Sequence, residues 1–161
     1  MEKNKIVTAM VESPKGSGQK FDFDETEGRF RLNKILPAGL VFPFDFGMIP
    51  GTKGEDGDPL DIIIIAEEKT FPGCLIDCRI IGVLEAEQTE RDGRTVRNDR
   101  FVGIPEVSQL FPDIQELAQL PESILNQVEH FFKNYNEQAG KIFRIIARQD
   151  AATAERSLTA P

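Results

Sequence analysis

Apolar and polar positions along this chain fall mostly into short runs, the spacing of strands, and only the C-terminal part carries the longer period of a helix. Ile6 to Val11 is mildly apolar and β-compatible, and the Pro14–Lys20 stretch, rich in Gly and Ser, reads as a loop. Lys20-Phe21-Asp22-Phe23-Asp24 then alternates, which places Lys20, Asp22 and Asp24 on one face of a strand and the two aromatics on the other. A turn near Glu27-Gly28 returns the chain through Phe30 and Leu32 as a hairpin. The aromatic segment Phe42 to Pro50 reads as core. Ile62 to Ile65 reads as a strand buried on both faces, because β-branched side chains suit a pleated surface. Leu75 to Leu84 is a second isoleucine-rich strand, and Asp92-Gly93 is a hairpin turn within a charged segment that ends at Phe101.

Pro121 opens a different pattern. Ile124, Leu125, Val128, Phe131, Phe132 and Tyr135 recur at helical spacing, with Gly140 as the stop. This helix needs a sheet to cover. One more strand follows at Ile142 to Ala147, and Asp150 caps a last Ala-rich helix expected to fray toward Pro161. Early strands and late helices predict one α+β domain over residues 1–161, mainly β, with a small antiparallel sheet closed or nearly closed on itself.

Where loop meets core, the chain places its densest chemistry. Glu55, Asp56, Asp58 and Asp61 crowd a turn set by Gly57 and Pro59, directly before the isoleucine run. Carboxylates held so closely repel one another unless a cation or a shared proton relieves them. Hard oxygen donors at this density suit magnesium or manganese rather than zinc. An isolated Asp-Gly-Asp would be read as a solvated turn. A calcium EF-hand loop starting at Asp56 would require Gly where Asp61 stands and would bend the isoleucine run, so it is set aside.

Composition narrows the partners. A net charge of −8 excludes a general binder of nucleic acid or anionic membrane, and an anionic substrate would need metals or clustered Lys and Arg. The polar start Met1 to Lys5 carries no apolar leader and no stretch is long enough for a membrane span, so a cytoplasmic protein is expected. Cys74 and Cys78, spaced roughly 13 Å apart along one strand, are read as reduced residues of the fold.

The run Asp56-Gly57-Asp58-Pro59-Leu60-Asp61, followed by apolar β-formers, resembles the signature of family I soluble inorganic pyrophosphatases. The likeness continues through Val11 to Ser17, Lys20-Phe21-Asp22, Phe46 to Ile49, Pro72-Gly73, Gly82-Val83-Leu84 and His130 to Tyr135, in the family's order. The resemblance implies an OB-like five-stranded antiparallel β-barrel with flanking C-terminal helices, dependence on Mg2+ with Mn2+ as a substitute, and a homo-oligomer, a hexamer for short bacterial members. It implies hydrolysis of pyrophosphate, or of another small phosphoanhydride, to phosphate by a metal-activated water. Carried over by position, Asp56 and Asp61 ligate metal, Asp58 is the general base, and Glu12 holds a metal through water. Lys20, Lys34, Arg100, Tyr135 and Asp22 contact substrate. The three aspartates are expected to converge at the mouth of the barrel.

Several positions depart from the family pattern. Lys34 stands for arginine, Phe46 for tyrosine, Asn136 for a lysine, and Asp22 for glutamate. In the charged hairpin Arg100 takes the place of a lysine and Asn98 that of a metal-binding aspartate, while Glu90 and Asp92 compete for the other aspartate's place; Asp92 is included with the metal residues. Asp99 cannot substitute for Asn98, because adjacent strand residues point to opposite faces. Two readings follow: a working pyrophosphatase with altered metal demand, or a weakened relative that binds a phosphorylated ligand or serves as a structural partner subunit. The intact Asp56, Asp58 and Asp61 favour the first.

Overall fold

The computed structural model describes residues 4–159; the polar opening Met1–Lys3 and the final Ala160 and Pro161, where fraying was expected, lie outside it. Among the described residues nine strands and two helices follow in order: β1 Ile6–Ser13, β2 Gln19–Asp24, β3 Arg29–Ile35, β4 Asp45–Ile49, β5 Leu60–Ile64, β6 Leu75–Thr89, β7 Thr95–Arg97, β8 Arg100–Pro105, α1 Glu122–Gln138, β9 Ile142–Gln149 and α2 Ala151–Thr159. A 3-10 turn at Leu117–Gln119 precedes α1.

β1, β4, β5, β8 and β6 pair in that order, and β1 pairs back onto β6, so five strands close a ring. This is the OB-like barrel expected. One seam departs from the wholly antiparallel expectation: β5 and β8 run parallel, with Asp61 opposite Arg100 and Ile62 opposite Phe101. A parallel pair cannot be joined by a tight turn, and here the long β6 excursion makes the crossover. β6 continues past the ring and carries β7 and β9, while β2 and β3 form a separate hairpin beside it.

The isoleucine run is buried on both faces. Ile62 and Ile64 pack in one apolar cluster with Ala9, Val11, Ile80 and Phe101. Ile63 and Ile65 pack in the other, against Phe42, Phe46, Phe131 and Phe132. Strand alternation alone produces this split. α1 places Leu125, Val128, Phe131 and Phe132 on the second cluster, the face its spacing predicted. Asp150 caps α2 by accepting the Thr153 N–H at 2.8 Å. Cys78 is buried, with its thiol pushed up to about 12 by desolvation, and neither cysteine forms a disulfide.

Gly47 sits where β4 crosses β1 at closest approach. A Cβ built there would run into the Met10 carbonyl oxygen. Gly47→Ala is therefore expected to lower unfolding stability by about 2–3 kcal/mol in urea titration; a loss below about 0.5 kcal/mol would show that the β1–β4 seam is not closely packed.

Candidate active site

The acidic turn between β4 and β5 is built by its own hydrogen bonds. Thr52 Oγ1 donates to the Ile49 carbonyl at 2.6 Å and accepts the Leu60 N–H at 3.0 Å, which pins both ends. The Gly54 N–H reaches the Asp58 carbonyl at 2.7 Å, and Gly57 completes the turn at a φ of 89°, where an L-side chain would be strained. Asp56 Oδ1 accepts the Asp58 N–H at 2.9 Å. Asp56 and Asp58 are thus exposed on a turn of defined shape, and Asp61, two residues after Pro59, already belongs to β5 and is half-buried.

This turn forms one wall of a cleft of about 600 Å3. Glu12 enters from β1, Lys20 and Asp22 from β2, and Lys34 from β3. Lys20 and Lys34 are register partners across the hairpin, so both present cations toward the cleft that the acidic turn borders. Lys20 lies 3.4 Å from Asp22. Lys34 Nζ stands 5.1 Å from the centre of the Tyr135 ring, and the Tyr135 hydroxyl is buried with no hydrogen-bond partner among the described residues.

Asn98 and Arg100 close the floor. Arg100 is 5 % exposed. Its Nη1 donates to Asp61 Oδ2 at 3.0 Å, to the Asn98 carbonyl at 3.0 Å and also to Asn98 Oδ1. Asn98 Nδ2 donates to Gln88 Oε1 at 2.9 Å. Asp99 accepts the Ala86 N–H at 3.0 Å and pairs with Arg97; it and Asn98 form the two-residue link between β7 and β8, so the bend of that link, not strand alternation, separates their side chains.

Not every expected residue reaches the cleft. Asp92 sits at the exposed tip of the β6–β7 turn, where it accepts the Arg94 N–H at 2.9 Å; it borders a separate recess. Glu90 is paired with Lys141 at 3.0 Å and borders that recess too. Neither carboxylate joins the acidic turn, because the lengthened hairpin carries them beyond the barrel. Asn136 lines the cleft with its Nδ2 turned into its own helix, donating to the Phe132 carbonyl at 2.7 Å, so it brings no positive charge to a ligand. His130 is exposed and lies outside the cleft.

Lys141, Asn33 and Gln88 are among the lining residues that were not anticipated. Lys141 follows the Gly140 helix stop, and its N–H donates to the Asn136 carbonyl at 2.8 Å, which holds a cation beside the position where the family pattern has one. The Gly140 stop signal could have pointed to it. Asn33 bonds Asp22, and Gln88 bonds Asn98; both depend on pairings between strands that only the fold supplies.

The electrostatics follow from crowding at a partly dry surface. Burial pushes the Glu12 carboxyl up to about 7, against the pull of the Phe23 N–H it accepts, with Asp22 and Asp61 adding repulsion. Asp58 is raised by desolvation and then by Asp56 and Asp22. Asp61 is raised by burial, with Arg100 and Lys20 pulling against it. Each would be relieved by a bound cation, and the donors are all hard oxygens, so the residues fit a divalent ion. Among the described residues, no three carboxylate, thiol or imidazole groups are already gathered around one point. Asp56, Asp58 and Asp61 all line the one cleft.

An OB-like barrel with an acidic, cation-fitting cleft opposed by lysines defines a protein built to handle phosphate. The comparisons give the family. A profile of inorganic pyrophosphatase matches residues 9–160, and the chain belongs to the inorganic pyrophosphatase family. It is 37 % identical over 139 residues to the inorganic pyrophosphatase of Geobacillus stearothermophilus, covering 86 % of this chain and 81 % of that protein. It is 33 % identical over 156 residues to that of Sulfolobus acidocaldarius, covering 95 % and 87 %. The solved inorganic pyrophosphatase of Thermus thermophilus superposes with a TM-score of 0.86 at 29 % identity, over 95 % of this chain and 87 % of that one.

Glu12 also generates a pH effect. Its folded value near 7 exceeds the ordinary 4.5, so in chelator the folded chain retains a proton that the unfolded chain releases. Its contribution is full below about pH 4.5 and is lost as pH rises to about 7. Glu12→Gln is expected to lose less melting temperature than wild type between those limits; parallel curves would show that Glu12 is not desolvated.

Proposed function

We propose that this chain hydrolyses inorganic pyrophosphate to two phosphates, with Mg2+ as the working ion and Mn2+ as a substitute. The observation that carries this reading is the shared cleft in which the Asp56–Asp61 turn and Glu12 are joined by Lys20 and Lys34. Asp56 and Asp61 would hold the divalent ions, with Glu12 acting through water. When bound, such ions acidify a water and draw charge from phosphoryl oxygens.

The chain's own groups supply the remainder. Lys20, Lys34 and Lys141 neutralise phosphate oxygens, and the unpartnered Tyr135 hydroxyl donates to one of them. Asp58 accepts a proton as water attacks phosphorus and the bridging P–O bond breaks to release phosphate. Its raised proton affinity suits a base. Asp22 holds Lys20 in place through their ion pair.

Two substitutions argue for reduced turnover or higher metal demand. Asn98 offers only a neutral oxygen, already engaged by Arg100, and Asn136 brings no charge. The weakened, ligand-binding reading rests on these. Residues 1–161 act as one domain in this reading, in the cytoplasm and as a homo-oligomer, with the hexamer expected from the family. Exposed Ile35, Phe71, Leu75 and Val107 are apolar surface that subunits could cover. Among the described residues no helix is long and apolar enough to cross a membrane.

Phosphate release from pyrophosphate should rise with Mg2+ and, separately, with Mn2+. Asp58→Asn should lower kcat by about 10²–10⁴-fold with little change in melting temperature. Absence of release above background at every level of either metal would instead leave the ligand-binding reading standing.

A further inference from the structure

Arg100 was expected to touch substrate, but its surroundings make it part of the floor. The guanidinium carbon lies 4.7 Å from the Phe132 ring centre, 5.5 Å from that of Phe143 and 5.6 Å from that of Phe46. Three aromatic faces thus lie against the cation. Its ion pair to Asp61 lies across the parallel seam, where the two residues are register partners. Asn98 Oδ1 accepts from the same nitrogen, Nη1, that reaches Asp61.

We propose that Arg100 is a fixed internal cation that positions Asp61 and Asn98 and supplies part of the positive charge the acidic cleft requires, so that a divalent ion reaches Asp61 only in competition with the guanidinium. This rests on the divalent-metal reading of the cleft. Three features of the cleft floor converge on it. The guanidinium is buried, so its charge is poorly screened and acts mainly on the carboxylate it touches. The Phe46 ring, in place of a tyrosine, gives the guanidinium an apolar face and no competing hydroxyl. The same guanidinium nitrogen serves both Asp61 and the neutral Asn98, and it would hold a carboxylate at position 98 as well.

Arg100 is a positioning residue in this account, and a buried ion pair could also be purely structural. Metal affinity separates the two. Mn2+ binding to the full chain, followed without substrate by electron paramagnetic resonance, is compared in wild type, Arg100→Lys, Asn98→Asp and the double variant, with melting temperatures measured alongside. Lysine replaces the planar guanidinium, which lies over three phenylalanine rings, with a compact, strongly hydrated ammonium that those rings hold in place less firmly. Arg100→Lys should therefore tighten Mn2+ binding about tenfold while lowering the metal-free melting temperature.

Asn98→Asp alone should change Mn2+ affinity by less than about threefold, because Arg100 captures the new carboxylate, yet should tighten it about tenfold when combined with Arg100→Lys. Additive effects, or unchanged or weaker Mn2+ binding in Arg100→Lys, would overturn the inference and leave Arg100 structural. If Arg100→Lys does not fold, Asn98→Asp decides alone: a change under about threefold supports the inference and a tenfold gain overturns it. No Mn2+ binding by wild type at millimolar metal would strike down the metal reading itself, and this inference with it.

Discussion

Asp61 and Arg100 meet across the one parallel seam of the barrel, and that contact joins the apolar core to the acidic cleft. Behind Arg100 stand three phenylalanine rings contributed by β4, α1 and β9. In front of it, Asp61 begins the polar wall that continues through Asp58 and Asp56. A lone charge at either position would carry a desolvation penalty of several kcal/mol. Paired, they allow a carboxylate to sit at the end of a strand whose next four residues are buried isoleucines. The cleft therefore depends on the barrel for position, and the barrel end depends on the ion pair to accommodate its charge.

The rest of the cleft follows the same division of labour. Elements packed on the core hold the residues least able to move: Glu12 on β1, Asp61 on β5, Tyr135 on α1. The longer charged side chains, Lys20 and Lys34, stand on the β2–β3 hairpin, which is hydrogen-bonded to β1 through Ser13 and Glu12 and is exposed along β3. Rigid carboxylates suit ions whose coordination tolerates little error, whereas long cationic side chains can follow a polyanion of changing shape. The chain carries this arrangement as a member of the inorganic pyrophosphatase family.

Much of this was legible in the residues. Alternating and continuous apolar runs marked most of the strands and the 3.6-residue period marked α1, whereas β4 read only as core, β7 lay hidden in the charged segment, and α2 was signalled by Asp150 and its alanines. The acidic turn declared itself through Gly57, Pro59 and the carboxylates around them. Less legible was anything set by pairing between distant strands. Arg100 ends a run of polar residues, Arg97-Asn98-Asp99-Arg100, and was expected at the substrate; its place on a strand between β5 and β6 buries it. Asp92 and Lys141 changed places as candidates for the same reason. The length of the β6–β7 excursion, not the identity of its residues, carries Asp92 away, and the helix stop at Gly140 brings Lys141 in.

The central claim is that the carboxylates of the β4–β5 turn and the lysines of the β2–β3 hairpin are two halves of one site, the first for divalent cations and the second for phosphate. Diffraction from crystals grown with Mn2+ and phosphate, with anomalous maps to locate the ions, tests it most directly. The account predicts manganese peaks bonded to oxygens of Asp56 and Asp61, with phosphate between those ions and the Lys20 and Lys34 ammonium groups. Manganese bound only outside the cleft, or phosphate held away from both lysines, would contradict it.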